Sequence, residues 1–221
     1  MFYFTDQQKQ KALIWLAFWH ILIIALSNFL VQFPFNFFGL DSTWGALSFP
    51  FIFLTTDLTV RIFGAPLARK IIFCVMFPAL ALSYLISIAF YNNLFKNPEA
   101  LLQVDWFVAR IALASFCAYL FGQLLDIKVF DRLRAKARWW IAPTASTILG
   151  NALDTLIFFF IAFWQSNDAF MAENWFQIGL LDYGFKLFFS LVLFLPFYGI
   201  LLKTLIHKLT DLGLKDYPVA H

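Results

Sequence analysis

Apolar residues are grouped along the chain into six long blocks, and short polar connections separate the blocks. A helix needs about 20 apolar residues to cross the hydrocarbon core of a bilayer. The pattern therefore predicts an all-α, polytopic membrane protein that forms a single transmembrane domain over residues 1–221. The six predicted spans cover about residues 12–31, 44–63, 71–90, 105–125, 139–163 and 180–202.

Composition supports this class. The chain is 62% hydrophobic and has 31 Phe, while charged residues make up 13%, about half of the usual share in soluble domains. The first block is longer than the apolar region of a signal peptide and has no clear cleavage site, so we expect it to stay as an anchor. Cys74 and Cys117 have no metal-ligand spacing and are interpreted as small buried hydrophobes. No metal ion or cofactor is predicted.

The charges of the connections alternate, and this predicts the orientation. Thirteen of the 16 basic residues fall in the N-terminal tail, the second and fourth connections and the C-terminal tail. By the positive-inside rule, both termini are predicted to be cytoplasmic. The basic fourth connection, "DIKVFDRLRAKAR", is interpreted as an orientation signal and not as a nucleic-acid site, because it is short and flush with the membrane.

Ionisable and amide side chains inside the spans are the candidates for function, since charge in the bilayer is costly and usually faces a partner or a cavity. His20, alone in the first span, is interpreted as a hydrogen-bonded core group before a proton carrier. Asp57 either faces a cavity or pairs locally with Arg61, and Lys186 either pairs with Asp182 or faces a cavity. The predicted substrate-binding residues are Asn28, Asp57, Arg110, Gln123, Asn151, Asp154 and Lys186.

The fifth predicted span carries the clearest pattern. One helical face is polar, and small residues at a spacing of four would let a neighbouring helix approach closely. The face either lines a polar cavity or supplies hydrogen bonds between helices. The second span has a similar proline, hydroxyl and aspartate order, which is compatible with a 3+3 inverted repeat. The polar face holds Thr144, Thr147, Asn151, Asp154 and Thr155, and the small row holds Ala142, Ser146 and Gly150.

The residues favour a transporter for a small polar solute, with a charge-balanced cavity. There is no GxxxxGK, HExxH or GxSxG motif, so neither ATP hydrolysis nor a familiar hydrolase site is indicated. Two alternatives stay open: a substrate-binding subunit that relies on a separate ATPase, and an intramembrane enzyme. The oligomeric state, including a homo-oligomer, and the driving force also stay open.

Several stretches closely resemble the bacterial queuosine-precursor transporters, a branch of the vitamin-uptake-transporter-like family. They include "TWGALSFPFIFLTTDLTVRIFGAPLAR", "VARIALASFCAYLFGQLLD", "RWWIAPTASTILGNALDTLIFFFIAFW" and "DYGFK". The resemblance implies a multi-pass inner-membrane importer of 7-cyano-7-deazaguanine, and of its aminomethyl relative, for queuosine salvage. No ATPase subunit is evident as a partner.

The chemistry of a guanine-like ring suggests roles for the candidate residues. Asp154 or Asp57 would accept hydrogen bonds from the N–H groups of the ring, because carboxylates are pure acceptors. Asn151 and Arg110 would contact its carbonyl side, with Lys186 as counter-ion. These roles are inferred from side-chain chemistry and position in the spans.

Overall fold

The computed structural model describes residues 4–30, 34–37, 40–44, 48, 50–91, 94–95, 106–135 and 138–211, and most of these residues are helical. Two short antiparallel hairpins, β1–β2 and β3–β4, interrupt the helices. The elements in chain order are α1 (Asp6–Leu30), β1 (Pro34–Phe37), β2 (Leu40–Thr43), α2 (Pro50–Phe63), α3 (Ala65–Ala89), β3 (Phe90–Tyr91), β4 (Leu94–Phe95), α4 (Trp106–Leu133), α5 (Ile141–Phe163), α6 (Ala169–Phe189), a π-helical turn (Ser190–Phe194) and α7 (Leu195–Asp211).

Within the part of the chain that the structure describes, five helical segments are long and apolar enough to cross a membrane, and each overlaps a predicted span. Large apolar side chains such as Trp15, Phe77 and Ile200 are more than half exposed on these helices. Such a surface suits lipid, where the backbone groups must be satisfied within each helix. The helical membrane class is therefore confirmed. The orientation of the termini and the inverted repeat stay predictions.

The second predicted span, 44–63, is described as a continuous helix only over Pro50–Phe63. Fourteen residues rise about 21 Å, less than the roughly 30 Å of the hydrocarbon core. Helix α2 is nevertheless largely enclosed, since nine of its 14 residues are buried. Its polar side chains therefore face protein.

The fourth helix is longer than predicted, and the connection assigned to residues 126–138 is wrong at its start. Helix α4 continues to Leu133, because Asp, Lys and Arg do not stop a helix as Gly or Pro would. Asp126 is therefore a helical residue and is completely buried. The sixth predicted span, 180–202, is the middle of one apolar helical run from Ala169 to Thr210.

Helices α4 and α5 run antiparallel and form the most extensive helix pair of the fold. Glycines at two levels allow their backbones to approach. A methyl group at Gly122 would lie 2.9 Å from Asp154 Cβ, and one at Gly150 would lie 3.1 Å from Asp126 Cβ. Each helix thus places an aspartate over a glycine of its neighbour.

The π-helical turn joins α6 to α7 without a break. The backbone N–H of Leu195 donates to the carbonyl of Ser190, five residues earlier. Pro196 follows at once and has no N–H to donate. Single π turns are frequent at functional sites, and this one forms part of the wall of the cavity described next.

Candidate functional site

A small cavity lies between α2, the start of α5 and the π-helical turn. Asp57 lines it together with Thr147, Ser190 and Tyr198, and Phe53 and Phe194 supply aromatic walls. Its volume is about 20 Å³, which is enough for about one water molecule. Sites for small organic ligands usually measure about 300–1,000 Å³. A ring-shaped solute would therefore need the surrounding helices to separate.

Two aspartates meet beside this cavity and are called here the carboxyl pair: Asp57 of α2 and Asp126 of α4. The Ser146 hydroxyl donates to Asp57, at 3.1 Å from Oδ1 and 3.4 Å from Oδ2. The Asp126 carboxyl lies next to both groups, and neither of its oxygens has a well-oriented hydrogen-bond partner among the described residues. Both aspartates are buried.

Arg61 does not pair with Asp57 in the described part of the chain. Its Nη1 donates to the carbonyl of Arg134 at 2.8 Å, and Arg134 Nη1 donates to the carbonyl of Val60 at 2.6 Å. Arg134 also pairs with Asp131 at 2.8 Å. The two arginines join the end of α2 to the end of α4.

Lys186 forms a second cluster with Asp154 and Asp182, called here the lysine triad. Its Nζ lies 2.7 Å from Asp182 Oδ2 and 3.5 Å from Asp154 Oδ2, and 3.4 Å from the Thr155 hydroxyl. Asp182 is one helical turn away, while Asp154 comes from α5. The local pair of Lys186 with Asp182 is thus present, and Lys186 also bridges to α5; it is not among the residues that line the cavity described above.

The carboxyl pair and the lysine triad lie along the same helix. Ser146 and Asp154 are eight residues apart on α5, a rise of about 12 Å. Asn151 lies between them, is completely buried, and has no hydrogen-bond partner for either amide atom among the described residues. An unsatisfied buried amide costs roughly 1–3 kcal/mol per group, so the polar face of α5 is suited to accept a polar ligand.

Gln123 belongs to a separate hydrogen-bonded chain. The hydroxyl of Thr56 lies 2.5 Å from Gln123 Oε1 and 3.3 Å from His20 Nε2. His20 Nδ1 lies 2.8 Å from the carbonyl of Leu16. His20 is therefore a hydrogen-bonded core group that links α1, α2 and α4.

Arg110 is at the opposite end of α5 from the carboxyl pair. Its Nε donates to the carbonyl of Ile161 at 2.6 Å, Nη1 to that of Gln165 at 3.4 Å, and Nη2 to that of Trp164. Gln165 has a φ of 51°, the left-handed conformation that often ends a helix. A cation at these carbonyls stabilises the end of the helix.

Replacement of Arg110 by lysine is expected to lower the melting temperature of the purified protein and to leave the KM for uptake unchanged. Lysine keeps the charge but cannot reach three carbonyls with a planar fork. The loss should be about 1–2 kcal/mol in the free energy of unfolding. Thermal unfolding in detergent and the concentration dependence of uptake test this. A raised KM at an unchanged melting temperature would instead support contact with the substrate.

The structure brings some of the predicted residues together and separates others. Asp57 lines the cavity, Asn151 follows Thr147 of the cavity wall by one turn, and Asp154 and Lys186 form the triad. Gln123 and Arg110 have the other partners described above. The side chain of Asn28 lies outside the described residues. The part of each in binding substrate stays a prediction.

Sequence reasoning missed Asp126, Ser190 and the buried role of Arg134. The sequence pattern places Asp126 in a cytoplasmic connection and makes Arg134 part of a basic orientation signal. One signal was available, because "GQLLD" at 122–126 and "GNALD" at 150–154 share a glycine, an amide and an aspartate at equal spacing. Those are the two glycine–aspartate levels of the α4–α5 pair.

Comparison with known proteins identifies the family. A family model described as "Putative vitamin uptake transporter" matches residues 43–201. The chain belongs to this family. The family match covers every residue that lines the cavity. No solved structure matches the chain.

Curated relatives of the family are similar over nearly the whole chain. The Queuosine precursor transporter of Escherichia coli (strain K12) is 60% identical over 208 residues, 94% of each chain. The Probable queuosine precursor transporter of Haemophilus influenzae is 55% identical over 97% of each. That of Bacillus subtilis is 27% identical over 83% of this chain and 80% of its own. These relatives are named as transporters, and this family member is not an enzyme.

Proposed function

We propose that this protein imports queuosine precursors across the bacterial inner membrane, with 7-cyano-7-deazaguanine as substrate and without a separate ATPase. The observation that carries the proposal is 60% identity over 94% of the chain to a protein named as a queuosine precursor transporter. A helical fold with several apolar segments and a small cavity lined by the buried Asp57 support it.

The cavity suits one edge of a guanine-like ring. Asp57 offers acceptor oxygens, and such a ring presents N–H donors. The aromatic side chains of Phe53 and Phe194 also line the cavity, where they would stack on the faces of the ring. Asn151 would meet the carbonyl edge once the cavity widens, because its amide has neither donor nor acceptor engaged among the described residues.

The proposed orientation has both termini in the cytoplasm. The ends of α2 and α4 meet through Arg61 and Arg134. Further basic residues follow these ends in the sequence: Arg69, Lys70 and Arg138. This clustering of basic residues at one end supports a cytoplasmic location for that end. Arg110 would then lie near the outer surface.

Uptake is tested in cells that neither make the precursor nor have their own transporter. Queuosine in transfer RNA should return only when the gene is present and a nanomolar supply of 7-cyano-7-deazaguanine is given. Failure to return, with the protein in the membrane, would contradict this substrate. Return only when an ATPase partner is co-expressed would contradict independent action.

Replacement of Asp57 by asparagine should reduce the uptake rate by about tenfold or more, because one charged acceptor of the ring is lost. Rates are normalised to the amount of protein in the membrane. Glu173→Gln is the matched control, since Glu173 is exposed near the start of α6, and it should transport normally. Full uptake by Asp57→Asn would remove Asp57 from the site.

A further inference from the structure

The carboxyl pair is unusual because two buried acids lie next to each other with few hydrogen-bond donors around them. Asp126 is completely buried and Asp57 nearly so. Among the described residues, no cation lies within ion-pair distance of either acid. Ser146 has one hydroxyl hydrogen, for which Asp57 and the carbonyl of Pro143 compete. The lysine triad differs, since there one cation lies between two acids.

The groups around the pair do not supply a neutralising charge. Arg61 and Arg134 donate to backbone carbonyls, and Arg134 already pairs with Asp131. The other facing groups are uncharged at neutral pH. They are Ser146 from α5, Ser190 from the π-helical turn and Tyr198 from α7.

Two adjoining carboxyl groups in a low-dielectric interior cannot both be ionised, so the pair retains a proton. We propose that Asp57 and Asp126 form a proton-binding site that couples substrate uptake to the proton gradient. The inference rests on the proposed transport function and assigns its driving force. Asp126 carries the proton, and Asp57 accepts hydrogen bonds from the substrate.

The positions of the two acids give them these separate roles. Asp57 lines the cavity, whereas Asp126 packs behind it against Gly150. The buried Ser190 hydroxyl, which has no hydrogen-bond partner among the described residues, also lines the cavity. The proton that the closed pair retains is the transported proton: it enters through Asp57 when the cavity opens to outside water, moves to Asp126, and leaves when hydration of the cavity opened to the cytoplasm lets both acids ionise. In between, substrate N–H groups hold Asp57 ionised while Asp126 stays neutral.

Coupling is tested with the purified full-length protein in proteoliposomes and labelled 7-cyano-7-deazaguanine. With one proton per substrate, an inward gradient of about one pH unit should support up to about tenfold accumulation. Counterflow, the exchange of labelled for unlabelled substrate without a gradient, is measured in parallel. The wild type should show both activities, and a pH indicator in weakly buffered vesicles should report proton entry with substrate.

Asp126→Asn resembles the protonated acid and cannot release a proton. It should keep counterflow and lose accumulation, so that substrate only equilibrates. Asp6→Asn is the matched control, because Asp6 is exposed at the start of α1 and lies outside the cavity; it should accumulate as the wild type does. If Asp126→Asn is not recovered folded, Asp126→Glu should retain accumulation with a shifted pH profile.

Five outcomes would overturn the inference in whole or in part. Wild-type counterflow without any response to the pH gradient would overturn coupling alone. Accumulation by Asp126→Asn, loss of its counterflow at an unchanged melting temperature, or an unshifted pH profile of Asp126→Glu would remove Asp126 as the proton carrier. Absence of both uptake and counterflow in the wild type would overturn the proposed function, and this inference with it.

Discussion

Replacement of Lys186 by methionine is expected to reduce uptake at least tenfold and to lower the free energy of unfolding by about 3 kcal/mol. Methionine would leave the buried Asp154 without its cation, and removing one partner of a buried ion pair costs roughly 3–5 kcal/mol. Ser190 of the cavity wall lies one turn after Lys186. A shift of α6 would therefore reshape the cavity. Uptake in cells and thermal unfolding in detergent measure the two effects.

A second variant separates charge balance from transport. Lys186→Met combined with Asp154→Asn should recover part of the melting temperature, because the fully buried charge is removed and only the partly exposed Asp182 loses its cation, while uptake stays low. Lys203→Met is the matched control, since Lys203 is exposed on α7, and it should resemble the wild type. Normal uptake by Lys186→Met alone would show that the triad is dispensable.

Replacement of Gly122 by alanine is the second change with a large expected effect. The added methyl group would lie 2.9 Å from Asp154 Cβ and 3.3 Å from the carbonyl oxygen of Gly150. These atoms cannot turn away as the end of a flexible side chain could, so α4 and α5 must separate. Overpacking of this kind typically costs about 1–3 kcal/mol, and the displaced Asp154 should reduce uptake several-fold.

Gly184→Ala is the matched control for this glycine. A methyl group there would have nothing within 4 Å, and alanine favours helix over glycine by up to about 1 kcal/mol. Its melting temperature should be equal or slightly higher, with normal uptake. Equal melting temperatures for Gly122→Ala and the wild type would contradict the close approach of the two helices.

Recognition of the candidate site from sequence succeeded for some residues and failed for others, for a physical reason. Asp57, Asn151, Asp154 and Lys186 are polar within apolar blocks, so the cost of placing them in a membrane marks them directly. Asp126 follows the same rule. Because basic residues begin two positions later, however, the charge pattern predicts that it lies in water. Its burial is decided by neighbours from α2 and α5.

Arg110 illustrates the opposite error. An arginine inside a span predicts a partner, yet the sequence does not say whether the partner is a substrate, a carboxylate or a carbonyl. The C-terminal end of α5 and the two residues after it supply three backbone carbonyls, 51 to 55 residues from Arg110 in sequence. Only the antiparallel packing of α4 on α5 brings them within reach.

The sequence by itself determined that this is a helical membrane protein, where its membrane segments lie, and which polar residues they carry. Those properties are local, because hydrocarbon excludes unsatisfied backbone and charge from each segment separately. The tertiary structure decided which acids share a site, which cation pairs with which acid, and which residues line the cavity. Those depend on contacts between helices distant in sequence, such as Ser146 and Asp57, which are 89 residues apart.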